Sequence, residues 1–69
     1  MTPRQVIERQ IEQLRTAGPH TPLKASEISG MIEMAEVCQA ITYGDGIQFR
    51  ADLHDIEKKH WGKVLGRAA

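Results

Sequence analysis

The sequence predicts an all-α fold in which two or three short helices form a small helical hairpin or bundle. Three observations predict it. Apolar residues recur at helical spacing, capping signals precede those segments, and a chain of 69 residues has room for one small domain, residues 1–69. A chain this short buries only about 60% of its unfolded surface. Because its single cysteine excludes an internal disulfide, we expect a homodimer to complete the fold.

The first helix is predicted to be amphipathic. Thr2 is its expected N-cap, with Pro3 in the first turn and Gln5 at the capping-box position. Gly18 is expected to end the helix in a left-handed conformation, and Pro19 to prevent its continuation. Three aliphatic residues at spacings of four and three form the predicted core stripe: Ile7, Ile11 and Leu14.

The second helix is predicted to be apolar over most of its circumference. It begins at Ser26, or at Thr21 with Pro22 in its first turn, and runs to about Thr42. Such a helix needs cover on two sides, by the first helix and by either the third helix or a second copy of the chain. The thiol of Cys38 is interpreted as buried and structural, because no basic residue lies nearby in sequence to favour the thiolate. The residues assigned to the core or the dimer contact are Ile28, Ile32, Ala35 and Cys38.

Residues 41–53 permit two interpretations. Alternating apolar residues on both sides of a predicted turn, Tyr43–Gly46, suit a β-hairpin. The same region carries a helical stripe that starts at Phe49, with Asp45 as a candidate N-cap. A two-stranded hairpin without a further sheet is weak in water. A third helix from about Asp45 to Trp61 is therefore favoured.

Several classes of function are not expected. No apolar run approaches the roughly 20 residues of a membrane span, and the N-terminus lacks a signal-peptide pattern, so we expect a cytoplasmic protein without membrane contact. A metal site would require His20, Cys38, His54 and His60 to converge, and no metal or other cofactor is expected. No catalytic motif is present, so we do not expect an enzyme. Direct DNA binding is not expected, because residues 23–32 begin like a helix-turn-helix but no Arg or Lys follows in the would-be recognition helix.

The remaining features predict a function by contact with another protein. Tyrosine and tryptophan are favoured as interface anchors, and methionines suit a surface that adapts to its partner. Alternatively, the aromatic and methionine side chains fill a dimer core. Residues 26–46 have no Lys or Arg and residues 58–69 have no acid, so these segments either complement each other or meet oppositely charged partners. The predicted partner-binding residues are Tyr43, Trp61, Met31, Met34, Glu33 and Glu36.

One alternative function belongs to a different class. Lys58, Lys59, Lys63 and Arg67 surround Trp61 near the C-terminus. In this alternative, the chain is a small protein that binds nucleic acid or a nucleotide through this basic segment. Binding through phosphates weakens steeply as salt rises, whereas an apolar protein contact changes little.

Two stretches of the sequence give the chain a resemblance to a known group of proteins. They are MTPRQVIERQIEQLR, residues 1–15, and ISGMIEMAEVCQAI, residues 28–41, closing on TYGDG. With its length and helical pattern, the chain resembles small bacteriophage host-takeover proteins, in particular the anti-quorum-sensing proteins of transposable phages. The resemblance implies a helical dimer in the host cytoplasm, a non-enzymatic inhibitor or adaptor that blocks a LuxR-type transcription regulator and a pilus assembly ATPase. It carries no site residues to this chain.

Overall fold

The computed structural model describes residues 1–66 and contains three α-helices. They are α1 (Pro3–Leu14), α2 (Thr21–Val37) and α3 (Tyr43–Val64), with one 3₁₀ turn, Gly18–His20, between the first two. The all-α prediction with three helices is confirmed. No strand occurs within residues 1–66, so the β-hairpin interpretation of residues 41–53 is wrong.

All three helices contribute to one apolar core. The core stripe predicted for α1 is confirmed, as are Ile28 and Ile32 of α2, which are fully buried at 0% exposure. Ala35 is only partly buried and packs against the edge of the core. The buried apolar residues are Ile7, Ile11, Leu14, Ala25, Ile28, Ile32, Ile41, Phe49, Leu53 and Ile56.

The predicted start of α1 is confirmed in atomic detail. The N–H of Gln5 donates to Oγ1 of Thr2 over 3.2 Å, and the N–H of Thr2 donates to Oε1 of Gln5 over 2.9 Å. This reciprocal capping box satisfies two N–H groups that the helix itself leaves without partners. The helix ends at Leu14, before the predicted stop. Gly18 has the expected left-handed backbone, with φ at 62°, but it begins the 3₁₀ turn instead of capping α1.

α2 begins at the earlier of its two predicted starts and ends before its predicted end. Thr21 is its first residue, and it stops at Val37 instead of near Thr42. Gln39 then adopts a left-handed backbone, with φ at 59°. The N–H groups of Gln39 and of the next residue donate to carbonyls of the last helical turn, over 3.0 and 2.8 Å. This is the Schellman pattern, which usually has glycine at the left-handed position.

α3 includes the segment that was predicted to be a turn. Its N-cap is Thr42, not Asp45, and Tyr43 is the first helical residue. The N–H of Asp45 donates to Oγ1 of Thr42 over 3.0 Å, and the N–H of Thr42 donates to Oδ2 of Asp45 over 3.2 Å. This second capping box fixes the start of the helix at Tyr43. The helix then runs past Trp61 to Val64.

The cap of α3 is expected to weaken in acid. The pKa of Asp45 lies below its ordinary value of 3.8, first because the Thr42 N–H donates to the carboxylate, with smaller contributions from the Thr42 side chain and from Arg4. A lowered pKa in the folded state stabilises the protein above the ordinary value, and this stabilisation is lost as pH falls through the folded value. The protection of amides in the first turn of α3, measured relative to their intrinsic exchange rates, should therefore fall below about pH 4. Asp45→Asn, which keeps an oxygen acceptor without the charge, should remove this acid-dependent step, and an unchanged acid profile in that variant would contradict the assignment.

Candidate protein-interaction surfaces

The structure divides the predicted partner-binding residues between two sides of the bundle. Met31 and Met34 lie at an apolar depression between α1 and α2, here called the α1–α2 groove. Tyr43 and Trp61 lie on the exposed side of α3, here called the α3 face. The acidic pair predicted with them, Glu33 and Glu36, lies on α2 on the side toward Arg50 of α3.

The α1–α2 groove exists because α2 is apolar on two sides. Ile28 and Ile32 point into the core, whereas Met31 is half-buried and Met34 is 63% exposed. The groove has a volume of about 680 Å³, and Glu27 is the one charged residue among those that line it. Its lining residues are Pro3, Val6, Ile7, Glu27, Gly30, Met31, Met34, Ala35, Cys38 and Ala40.

Cys38 is exposed, so the prediction of a buried structural thiol is wrong for the single chain. At about 100° per helical residue, position 38 lies about 80° away from the inward direction of Ile28. The α2 helix also ends at Val37, so no further turn of helix covers the thiol. Cys38 therefore forms part of the wall of the α1–α2 groove.

The α3 face carries four large apolar side chains. Tyr43 is 75% exposed, Ile47 53%, Trp61 46% and Leu65 65%. Tyr43 and Trp61 are 18 residues apart, which is about five turns of helix, so both point in the same direction roughly 27 Å apart along the axis. Ile47 and Leu65 follow them by four residues and lie beside them on the same face. The Trp61 ring also packs edge-on against the ring of His60, with centroids 5.3 Å apart.

Two residues of the α3 face, Ile47 and Leu65, are not among the predicted partner-binding residues. The signal was present, because Ile47 follows Tyr43 at a helical spacing of four. It was not recognised because Tyr43–Gly46 was interpreted as a turn, which removed Tyr43 from the helix.

Glu36 is engaged within the chain. Its carboxylate forms an ion pair with the guanidinium of Arg50 in α3, and its side chain is only 19% exposed. The close approach requires Gly46, where a Cβ would lie 2.7 Å from Cδ of Glu36. The hydrogen bond to Glu36 raises the pKa of Arg50, and the charges of Glu36, Glu33 and Tyr43 raise it further. The pair thus ties α2 to α3 beside Tyr43.

The part of the chain that the structure describes contains no cluster of metal-ligating side chains. There, no three His, Cys, Asp or Glu side chains are placed to hold a metal ion. Every buried side-chain nitrogen or oxygen of residues 1–66 has a hydrogen-bond partner, so none points unpaired into a cavity. No helix within those residues has the length and apolar character to cross a membrane.

The basic C-terminal segment is only partly described. Nζ of Lys59 lies 3.2 Å from Oδ2 of Asp55. Lys58 lines a shallow depression together with Trp61, His54 and Glu57. Arg67, the last member of the predicted basic set, lies outside the described residues.

Comparison with protein families, with characterised proteins and with solved structures finds no match to this chain.

Proposed function

We propose that this protein is a non-enzymatic inhibitor or adaptor that binds a protein target through the α3 face and acts as a homodimer. One observation supports this more than any other. Four large apolar side chains, two of them the aromatic types most common at binding hot spots, lie exposed on one side of one helix. Exposed aromatic and large aliphatic side chains set among polar ones are typical of a protein-interaction site.

The charges around the α3 face fit a protein target better than a nucleic acid. Arg50 is already paired with Glu36. Glu57 lies beside Lys58 in the depression at Trp61. A nucleic-acid site needs unpaired cations along the path of the phosphates, whereas a protein interface combines an apolar centre with a polar rim of both signs.

The resemblance to phage host-takeover proteins supplies the first targets to test. We propose a bacterial host protein as the target, bound in the host cytoplasm, with a LuxR-type transcription regulator and a pilus assembly ATPase as the two candidates. Neither candidate requires catalysis by this chain. An inhibitor of either would act by occupying a surface that the target needs for its own function.

Direct binding measured over a range of salt concentrations tests the proposal. Each purified candidate and a capture from host lysate should be compared with a mixed-sequence DNA and RNA at about 50 and about 200 mM salt. A contact centred on apolar side chains should change little over this range. Binding through three lysines to phosphates should weaken by roughly 40-fold. Association with nucleic acid that follows the steep salt dependence, with no protein bound, would replace this proposal by the nucleic-acid alternative.

A further inference from the structure

We infer that the α1–α2 groove is the contact between two copies of this chain, with α2 of one copy crossing α2 of the other in antiparallel fashion near Gly30. This inference rests on the homodimer of the proposed function and gives that dimer its contact surface. The α3 face lies on another side of the bundle and stays accessible to a target in this arrangement.

The chemistry of the α1–α2 groove matches a self-association surface. Of its ten lining residues, only Glu27 is charged. Homodimer interfaces are more apolar than transient ones, and charged residues are depleted at their centres. The α3 face differs in kind, because Arg50, His54 and Lys58 interrupt its apolar side chains. The two surfaces therefore suit different occupants, a permanent one in the groove and a target on α3.

The exposed area of the chain leaves room for such an interface. The chain exposes 4993 Å², whereas a compact monomer of its 7.7 kDa mass exposes about 4,300 Å². The difference between these two exposed areas is close to the roughly 800 Å² that each partner buries in an interface of standard size. The elongated form of the bundle, 40 × 19 × 14 Å, agrees with a unit that lacks a neighbour along one long side.

Gly30 marks the point of closest approach. It lies in the middle of α2, where glycine is a poor helix former, and apart from its neighbours and the backbone of α2 itself, no heavy atom lies within 4 Å of the position that its Cβ would occupy. Gly30 therefore leaves the outer side of α2 open within the α1–α2 groove, with room for the backbone of a second helix to approach closely at this point. A two-fold axis near Gly30 places Leu23 of one copy opposite Cys38 of the other, because each lies seven or eight residues from the axis. Apolar surface then meets apolar surface along α2, which is about 25 Å long, except at the two copies of Glu27, three residues from the axis.

Two glycine substitutions form a matched test. Gly30→Leu places a large side chain in the α1–α2 groove, and Gly62→Leu places the same side chain on α3, where a Cβ also meets nothing within 4 Å. Sedimentation equilibrium at micromolar concentration should give a dimer for the parent and for Gly62→Leu. Gly30→Leu should dissociate, with dimerisation weakened at least about 100-fold, and should keep its helical circular dichroism.

A second matched pair of variants introduces a negative charge into each surface. This pair still tests the α1–α2 groove if Gly30→Leu does not fold. Met34→Glu and Ile47→Glu each replace an exposed apolar side chain, the first in the groove and the second on α3. Met34→Glu should dissociate the dimer, whereas Ile47→Glu should not. Labelling of Cys38 by a thiol reagent should slow as parent concentration rises into the dimer range, and should stay fast in Met34→Glu.

The outcomes separate this inference from the proposed function. If the parent protein keeps its monomer mass of 7.7 kDa up to several hundred micromolar, both the dimer and its proposed contact surface are wrong. Target binding by the α3 face is then still tested separately by the binding measurements. A dimer that survives Met34→Glu and dissociates with Ile47→Glu overturns only the assignment of the groove. Capture of a different protein by the groove of a monomeric parent also overturns it.

Discussion

Ile32→Asp is expected to unfold the protein. Ile32 is 0% exposed and lies in the core between the helices. Loss of the buried side chain alone costs roughly 2–5 kcal/mol, and an unpaired carboxylate in its place adds the cost of burying a polar group without a partner. A chain of 69 residues has a total stability of only about 3–10 kcal/mol.

Circular dichroism and urea titration measure this effect. Ile32→Asp should lose most of its helical signal at 25 °C, or shift its unfolding midpoint far below that of the parent. Ile47→Asp is the matched control, since it makes the same change at a residue that is 53% exposed and should cost less than about 1 kcal/mol. If Ile32→Asp unfolds at the parent's urea concentration, the assignment of this side of α2 to the core is wrong.

Trp61→Ala and Tyr43→Ala are each expected to weaken target binding while the fold stays nearly as stable. Interface anchors of this type cost at least about 2 kcal/mol on truncation, which is roughly a 30-fold loss of affinity. Tyr43 is 75% exposed and Trp61 is 46% exposed, so neither should show the roughly 3–5 kcal/mol loss of stability typical of a large aromatic core residue.

Thermal unfolding and target affinity, measured together, distinguish an anchor from a core residue. Arg9→Ala is a suitable control, because Arg9 is exposed on α1 and belongs to neither the α3 face nor the α1–α2 groove. Weaker binding with nearly unchanged stability identifies an anchor, whereas loss of both identifies a core residue. Parent-like affinity in both aromatic variants would show that the α3 face is not the site, and the acidic residues Glu33 and Glu36 would then be tested next.

The helices were predictable where local signals and apolar spacing agree. In α1, the Thr2 cap and the aliphatic stripe lead to the same helix, and the structure confirms it. The end of α2 was not predictable, because the left-handed position that ends it is occupied by Gln39, and only glycine signals such a position reliably. At the start of α3, the glycines at 44 and 46 suggested a turn, but the Thr42–Asp45 capping box determines the structure.

The residue types of the two candidate surfaces were predictable from the sequence, but their positions in the fold were predictable only in part. Tyr43 and Trp61 stand out in the sequence because aromatic residues are few, and their common direction follows from a spacing of about five turns. The engagement of Glu36 by Arg50 depends on which sides of α2 and α3 meet, and spacing within each helix does not determine that. The exposure of Cys38 likewise depends on where α2 ends.

The spacing between Tyr43 and Trp61 also sets the minimum size of a molecule that competes for the α3 face. The two side chains are roughly 27 Å apart along the helix, so a helical peptide needs about 18 residues to reach both. A shorter peptide derived from the target would displace it from one end only and would compete weakly. Two short peptides joined by a linker that spans this length should compete far better than either alone, because binding at one end raises the local concentration at the other.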